Sequence, residues 1–328
     1  MKLEVLLSNK YSIAFKRLYK ELNPICESYN KSKVYFLFDA AYCYLKYGAS
    51  PHDYMNFEFY KLKDIERNKF LTMKRTHRVE SIYNDKKYAD YFNNKYKFNM
   101  VFSDFIKREW KYAPELSLDE FINFVKRKEK VIVKPLRLSS GRGIYALEIN
   151  KINNFMEIYQ KIKTENCLVE EFIKQHSKLM SANERTVNTI RVYTLIDKNG
   201  RIHIIFAALR VGSATADVDN FHNGGVGYPL DLHTGVVNKQ GVDLKGNTHT
   251  YHPSSGTLMI GFKIPNWQNL KEFVLSAATR FPQSRYIAWD VAVLEDGFEM
   301  VEGNYNGDPG LLQALDKVGK KEIFTELR

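Results

Sequence analysis

Apolar positions recur at helical spacing through the first part of the chain and at strand spacing through the rest. The stretch FKRLYKEL and the run Val34–Tyr47 carry apolar residues three and four apart, and Gly48 and Pro51 then break the pattern. A mixed helical run follows from Asp53 to Thr72. From Lys130 the texture changes. Val131–Pro135 and Ile144–Ile149 predict a hairpin-like pair, Lys151–Lys163 a helix, and Cys167–Ile173 a short apolar strand. TIRVYTLIDKNGRIHIIFAALRVG reads as a hairpin turned at Asn199–Gly200. The Gly-rich DNFHNGGVGYPLDLHTG comes next, then a helix near Trp267–Arg280. Two last strands, YIAWDVAVL and FEMVEGN, are joined at Asp296–Gly297. The pattern is a helical region followed by an α+β region of antiparallel hairpins. The helical region has no Gly-rich strand-to-helix turn, which argues against a dinucleotide-binding unit there.

Composition adds less. The 328 residues, 44% hydrophobic and 27% charged, suit a globular protein of two or three subdomains. The net charge of +11 fits nucleic acid, an anionic membrane surface or an anionic substrate equally well. Much of the excess lies between Lys61 and Lys130, where a solvated helical surface would carry it too. Cys26, Cys43 and Cys167 form neither a metal-ligand spacing nor a disulfide framework, so a reducing compartment is expected. The apolar run in MKLEVLLSNK is short for a signal peptide, and no stretch approaches the ~20 apolar residues of a membrane span. The expected location is the cytoplasm.

Four constellations carry chemistry. Asp290 lies on one strand of the last pair, with Glu302 and Asn304 near the end of its partner. Residues two apart on a strand share a face, and the turn folds Asp290 back beside them. Three oxygen ligands on one face suit a hard cation such as Mg²⁺. In CLVEEFIKQH two adjacent acids, Glu170 and Glu171, interrupt an apolar strand, and one of them could accept from an adenine amino group or simply face solvent. Arg191 and Arg210 interrupt the two strands of the middle hairpin and need an anion, either a substrate group or a structural acid. Lys134 and Pro135 end a strand ahead of Ser139, Ser140, Gly141, Arg142 and Gly143. Small residues and cations are what a polyphosphate requires, and an exposed turn uses the same glycines. GxxxxGK[ST], HExxH and G-x-S-x-G are absent, and His222, His249 and His252 have no metal-ligand spacing.

Taken in order, these pieces resemble an ATP-grasp enzyme from Asn94 to the C-terminus. NTIRVYTL, DNFHNGG, HPSSG, IPNW and WDVAVLEDG…VEGN are most similar to the sugar-transfer-associated branch, which is linked to capsule and exopolysaccharide biosynthesis. The resemblance implies an α+β fold in which two subdomains grip ATP between antiparallel sheets. Residues 1–93 would be a mainly helical region replacing the family's usual Rossmann-like domain, residues 94–180 the small lid subdomain, and residues 181–328 the large one with metal and acceptor sites. By resemblance, Lys134, Lys95 (preferred to Lys97) and the loop from Ser139 to Gly143 would hold the phosphates. Glu170, Glu171, Phe172 and Ile173 would form the adenine hinge, and His176 or Lys178 would reach the ribose. Asp290, Glu302 and Asn304 would bind two Mg²⁺, Arg191 and Arg210 would face the transferring phosphoryl group, and Asn220 with Gly224–Gly225 would line the acceptor side.

The implied reaction is carboxylate–amine ligation through an acylphosphate. Its implied substrates are a carboxylated sugar and an amine such as an amino acid, with no nucleic acid partner, and with peripheral membrane contact if the substrate is lipid-linked. Two other readings stand beside it. One is a sugar kinase on the same scaffold. The other is a basic glycan- or nucleic-acid-binding protein with a vestigial nucleotide site.

Overall fold

The structure, a computed structural model, describes residues 9–138, 141–213, 224–308 and 310–327. The chain divides into two units, one of residues 1–82 with 308–328 and the other of residues 83–307.

The first unit is helical. Ser32 caps the helix Lys33–Tyr47 by accepting from the Tyr35 amide, and Gly48, at φ 69°, ends it. A side chain at Gly48 would also strike Lys74, its Cβ falling 2.6 Å from the Lys74 Cβ. Ser50 and Asp53 then form a capping box for the helix Pro51–Asn56. The run expected to continue to Thr72 breaks into a 3-10 turn at Phe59–Lys61 and a short helix at Asp64–Arg67. The break has a cause. Glu58 adopts the left-handed conformation, and the Phe59 carbonyl accepts from the Leu62 amide, a 3-10 bond, and from the buried Arg67 guanidinium. Arg67 also makes two 2.8 Å bonds to Asp39, so this buried charge is fully partnered. The C-terminal segment joins through Gln313, whose side chain accepts from the Leu71 amide and donates to the Leu71 carbonyl.

The second unit holds two antiparallel sheets. The four-stranded sheet has the order β1-β4-β2-β3, from Trp110–Tyr112 (β1), Lys130–Pro135 (β2), Tyr145–Glu148 (β3) and Cys167–Glu171 (β4). Val131 and Val133 alternate inward and pack with Phe121, Phe124, Ile162 and Val169. The helix expected over Lys151–Lys163 starts later, at Phe155, because Ile149–Lys151 forms a 3-10 turn and Asn154 takes the N-cap.

The seven-stranded sheet has the order β11-β10-β5-β6-β7-β8-β9. Its central hairpin is Thr189–Ile196 (β5) and Ile202–Val211 (β6), with Gly200 at φ 79° in the turn. Tyr286–Leu294 (β10) and Gly297–Asn304 (β11) form the far edge, while Val226–Pro229 (β7), Gly241–Asp243 (β8) and Thr248–His249 (β9) form the other. All nine residues of β10 are buried, as a strand between β5 and β11 with both faces covered should be. Trp289 packs against Phe92 and Phe102, and the helix Trp267–Thr279 completes this core.

Candidate active site

Asp290 is the centre of the strongest cluster. It lies directly opposite Arg191 on β5 and Glu302 on β11. A bulge after Asp290 shifts the register so that Val291 pairs with Met300. Directly opposed residues share a sheet face, so Asp290 and Glu302 point the same way. Arg191 donates to both Asp290 oxygens, with Nη2 at 2.7 Å, and Arg210 Nη1 lies 3.0 Å from Oδ2. The Asn304 amide is 3.5 Å from the same oxygen. Burial alone would raise the Asp290 pKa. Arg191 and Arg210, with a hydrogen bond shared with Glu302, outweigh it and hold the group below the ordinary carboxylate value.

Two carboxylates and an amide on one face form an all-oxygen donor set, and such a set fits a hard cation like Mg²⁺. Among the described residues no group of three or more His, Cys, Asp or Glu side chains converges. Arg191 and Arg210 offset the charge of Asp290 and Glu302 on this face.

A second cluster is built on the four-stranded sheet. Lys134 Nζ on β2 lies 2.6 Å from Glu170 on β4. Glu170 also accepts from Arg108 Nε at 2.7 Å and from the Asn99 amide at 3.2 Å. Burial opposes the Glu170 charge, but Arg108 and Lys134 prevail and its pKa is lowered. Arg108 reaches further. Its Nη1 bonds Glu299 at 2.6 Å and the Met300 carbonyl at 2.9 Å, both on β11. The lysine strand is therefore tied through Glu170 and Arg108 to the strand that carries Glu302. Lys95 donates to the Leu138 carbonyl at 2.7 Å. Burial lowers its pKa, the nearby Glu302 raises it, and Lys134 and Glu170 also act on it. Lys97 instead pairs with Asp90 at 2.6 Å.

The remaining expected residues fall as follows. Gly141 and Gly143 hold φ of 69° and 70° in the β2–β3 loop, with Arg142 exposed between them. A cavity of about 770 Å³ opens beside this loop, lined by Leu136, Leu138, Gly143 and Tyr145 among others. Neither Asp290 nor Glu302 lines it. Glu171 ends β4 with its carboxylate 3.4 Å from Lys128. Lys130 sits over the Phe172 ring at 4.2 Å, and Ile173 is buried. The His176 amide bonds the Val293 carbonyl on β10, and Lys178 lies over the Phe262 ring. Gly224 has φ 88°. Ser139, Ser140 and Asn220 lie outside the described residues.

Arg108 and Glu299 do not emerge from the sequence. Glu299 did carry a signal, since it is an acid between Phe298 and Met300 on a strand, the same anomaly that marks Asp290. Arg108 carried none, being one cation among many in a basic stretch.

Residues 74–323 match the family described as sugar-transfer associated ATP-grasp. No curated protein matches the chain. Among solved structures, the ATP-grasp ligase PsnB complexed with minimal precursor, Mg and ADP aligns with a TM-score of 0.46 and 14% identity, over 83% of this chain and 70% of that one. D-alanine–D-alanine ligase from Helicobacter pylori gives 0.45 and 13%, over 73% and 61%. An ADP complex of N5-carboxyaminoimidazole ribonucleotide synthetase gives 0.41 and 9%, over 65% and 44%.

Proposed function

The chain belongs to the sugar-transfer-associated ATP-grasp family, and we propose that it is an ATP-dependent ligase joining a carboxylate to an amine. The observation that carries this reading is the pairing of two clusters across the second unit. Lys95, at the start of a helix beside Lys134 and Glu170, lies in electrostatic reach of Glu302, which stands directly opposite Asp290, with the arginine-bearing strands β5 and β6 on the other side of β10. Lysine and arginine cations beside an oxygen-donor set suit a nucleoside triphosphate.

In the reaction a substrate carboxylate oxygen attacks the γ-phosphorus of ATP. The bond to the β,γ-bridging oxygen breaks and ADP departs, leaving an acylphosphate. The amine nitrogen then attacks the acyl carbon, loses a proton to solvent, and phosphate leaves with its bonding electrons. Lys134 and Lys95 bind phosphate oxygens, and the turn at Gly141–Gly143 lets the backbone approach them closely. Arg191 and Arg210 turn from Asp290 toward the transferring phosphoryl group and balance its charge. Asp290, Glu302 and Asn304 would hold Mg²⁺, which supplies charge neutralisation on the phosphates. The hinge from Glu170 to Ile173 supports the adenine, with Glu170 acting through Lys134 and Arg108. No side chain need act as nucleophile, so positioning and charge account for catalysis.

The family's association with sugar transfer supports a carboxylated sugar as one substrate and an amino acid or similar amine as the other, in capsular or exopolysaccharide biosynthesis. The net charge of +11 suits an acidic substrate. Dependence on ATP points to the cytoplasm, and among the described residues no helix is long and apolar enough to cross a membrane. Hydroxylamine trapping tests the reaction class. Incubation with ATP, a uronic acid and hydroxylamine should yield the hydroxamate, ADP and phosphate. A stable phosphorylated sugar with no hydroxamate would replace the ligase with a kinase.

A further inference from the structure

A helix that is apolar all round is ordinarily buried all round, and Lys33–Tyr47 in the first unit is not. Phe36, Ala40, Cys43, Tyr44 and Tyr47 form its buried face. The opposite face should be polar. It consists instead of Val34 (58% exposed), Tyr35 (48%), Phe38 (74%), Tyr42 (40%) and Leu45 (66%), with Lys46 at its edge. Spaced three and four apart, Val34, Phe38, Tyr42 and Leu45 make one continuous stripe. Asp39, the only acid in the helix, is bonded by Arg67 and Tyr54 and offers the stripe no charge.

We propose that this stripe seats the first unit on an anionic membrane surface. The rim decides between occupants. Lys31 lies 3.8 Å from the centre of the Tyr35 ring, Lys33 4.1 Å from that of the exposed Tyr19, and Lys46 5.0 Å from that of Tyr42. Residues 9–47 hold seven Lys and Arg against three acids, and Asp64 offsets one of these charges by bonding Lys46 and Tyr42. A second copy laid on the stripe would bring two lysine rims together, and their repulsion would oppose the burial of the apolar side chains. An anionic bilayer receives both features, taking the apolar side chains into the headgroup boundary while lipid phosphates meet the lysines. Aromatic rings with cations over them suit that boundary, apolar in body and wet at the tip. The helix lies on such a surface and does not span it, since no described helix is long and apolar enough to cross. This inference stands apart from the ligase chemistry, which it neither needs nor supports.

Co-sedimentation of the full chain with vesicles tests it, using phosphatidylcholine alone and phosphatidylcholine with phosphatidylglycerol. The protein should bind the anionic vesicles, bind the neutral ones weakly, and release as salt is raised. Phe38→Ser with Leu45→Ser should weaken binding by about tenfold or more and leave thermal denaturation unchanged, both side chains facing water. Lys31→Glu with Lys33→Glu keeps the stripe and should weaken binding by a similar factor. Absence of binding to anionic vesicles would overturn the proposal, as would equal binding by the serine variant. A wild-type dimer in sedimentation equilibrium that the serine pair dissociates would give the face to a second copy instead.

Discussion

Arg108 and Glu170 form an ion pair, Nε to Oε2 at 2.7 Å, in which both side chains are only 2% exposed. The same guanidinium holds Glu299. Removing the cation leaves buried Glu299 without its ion-pair partner and Glu170 with Lys134 as its counter-charge, which is far costlier than losing a surface pair. Arg108→Ala should therefore destabilise the protein by about 3–5 kcal/mol in urea denaturation. A loss under about 1 kcal/mol would mean that water reaches these carboxylates and that the link between the sheets is loose.

Stability on the acid side should fall in two stages. Burial, aided by His249, lowers the His252 pKa from 6.5 to about 4. The unfolded chain then takes up this proton before the folded one does. The contribution is complete above pH 6.5 and is lost as the pH falls from 6.5 toward about 4. Glu170 follows. Its pKa is lowered from 4.5, so its contribution is complete above that value and is lost as the pH falls through the folded one. Denaturation followed across this range should show both descents, and His252→Asn should remove only the first. A flat profile between pH 6.5 and 4 would contradict the burial of a neutral imidazole.

Lys95 and Lys97 should separate cleanly. Lys95 has Glu302, Lys134 and Glu170 around it, whereas Lys97 belongs to Asp90. Lys95→Ala should weaken binding of an ATP analogue by about 10- to 100-fold, the worth of one charge-assisted contact. Lys97→Ala should change it less than about threefold. Calorimetric titration of both variants decides the point, and the reverse order would move the phosphate contact to Lys97.

Gly143 has φ 70°, and a Cβ there would lie 3.0 Å from Pro135 Cγ and 3.1 Å from Leu138 Cδ1. Gly143→Ala adds left-handed strain of about 1–2 kcal/mol to that crowding. The loop should shift and KM for ATP rise, while kcat at saturation changes little. An unchanged KM would show that this turn does not shape the nucleotide site.

What the sequence disclosed depends on how local the determinant is. The turns at Asn199–Gly200 and Asp296–Gly297, the strands around them and the helix at Trp267 are written in neighbouring residues, and the structure has them. Acids and arginines inside apolar strands were visible as anomalies, which is why Asp290, Glu170, Arg191 and Arg210 could be singled out. The hairpin turn also placed Glu302 beside Asp290, as the register has it. The distant partners were not visible. The register that sets Asp290 opposite Arg191 joins residues 99 apart through hydrogen bonds that no local pattern specifies. Arg108 finds Glu299 across 191 positions. The helical run from Asp53 is interrupted where Glu58 turns left-handed and the buried Arg67 guanidinium binds the Phe59 carbonyl beside a 3-10 bond, a tertiary effect overriding local preference.

The central claim is that Glu302, opposite Asp290, helps hold the cation that accompanies ATP. Calorimetric titration of wild type and Glu302→Gln with a non-hydrolysable ATP analogue, with and without Mg²⁺, tests it most directly. Wild type should bind the analogue much more tightly with Mg²⁺ present. Glu302→Gln should lose about 10- to 100-fold of that Mg²⁺-dependent gain, with Mg²⁺-free binding and thermal stability unchanged. A variant that keeps the full Mg²⁺-dependent gain, or a wild type that binds no analogue under either condition, would contradict the account.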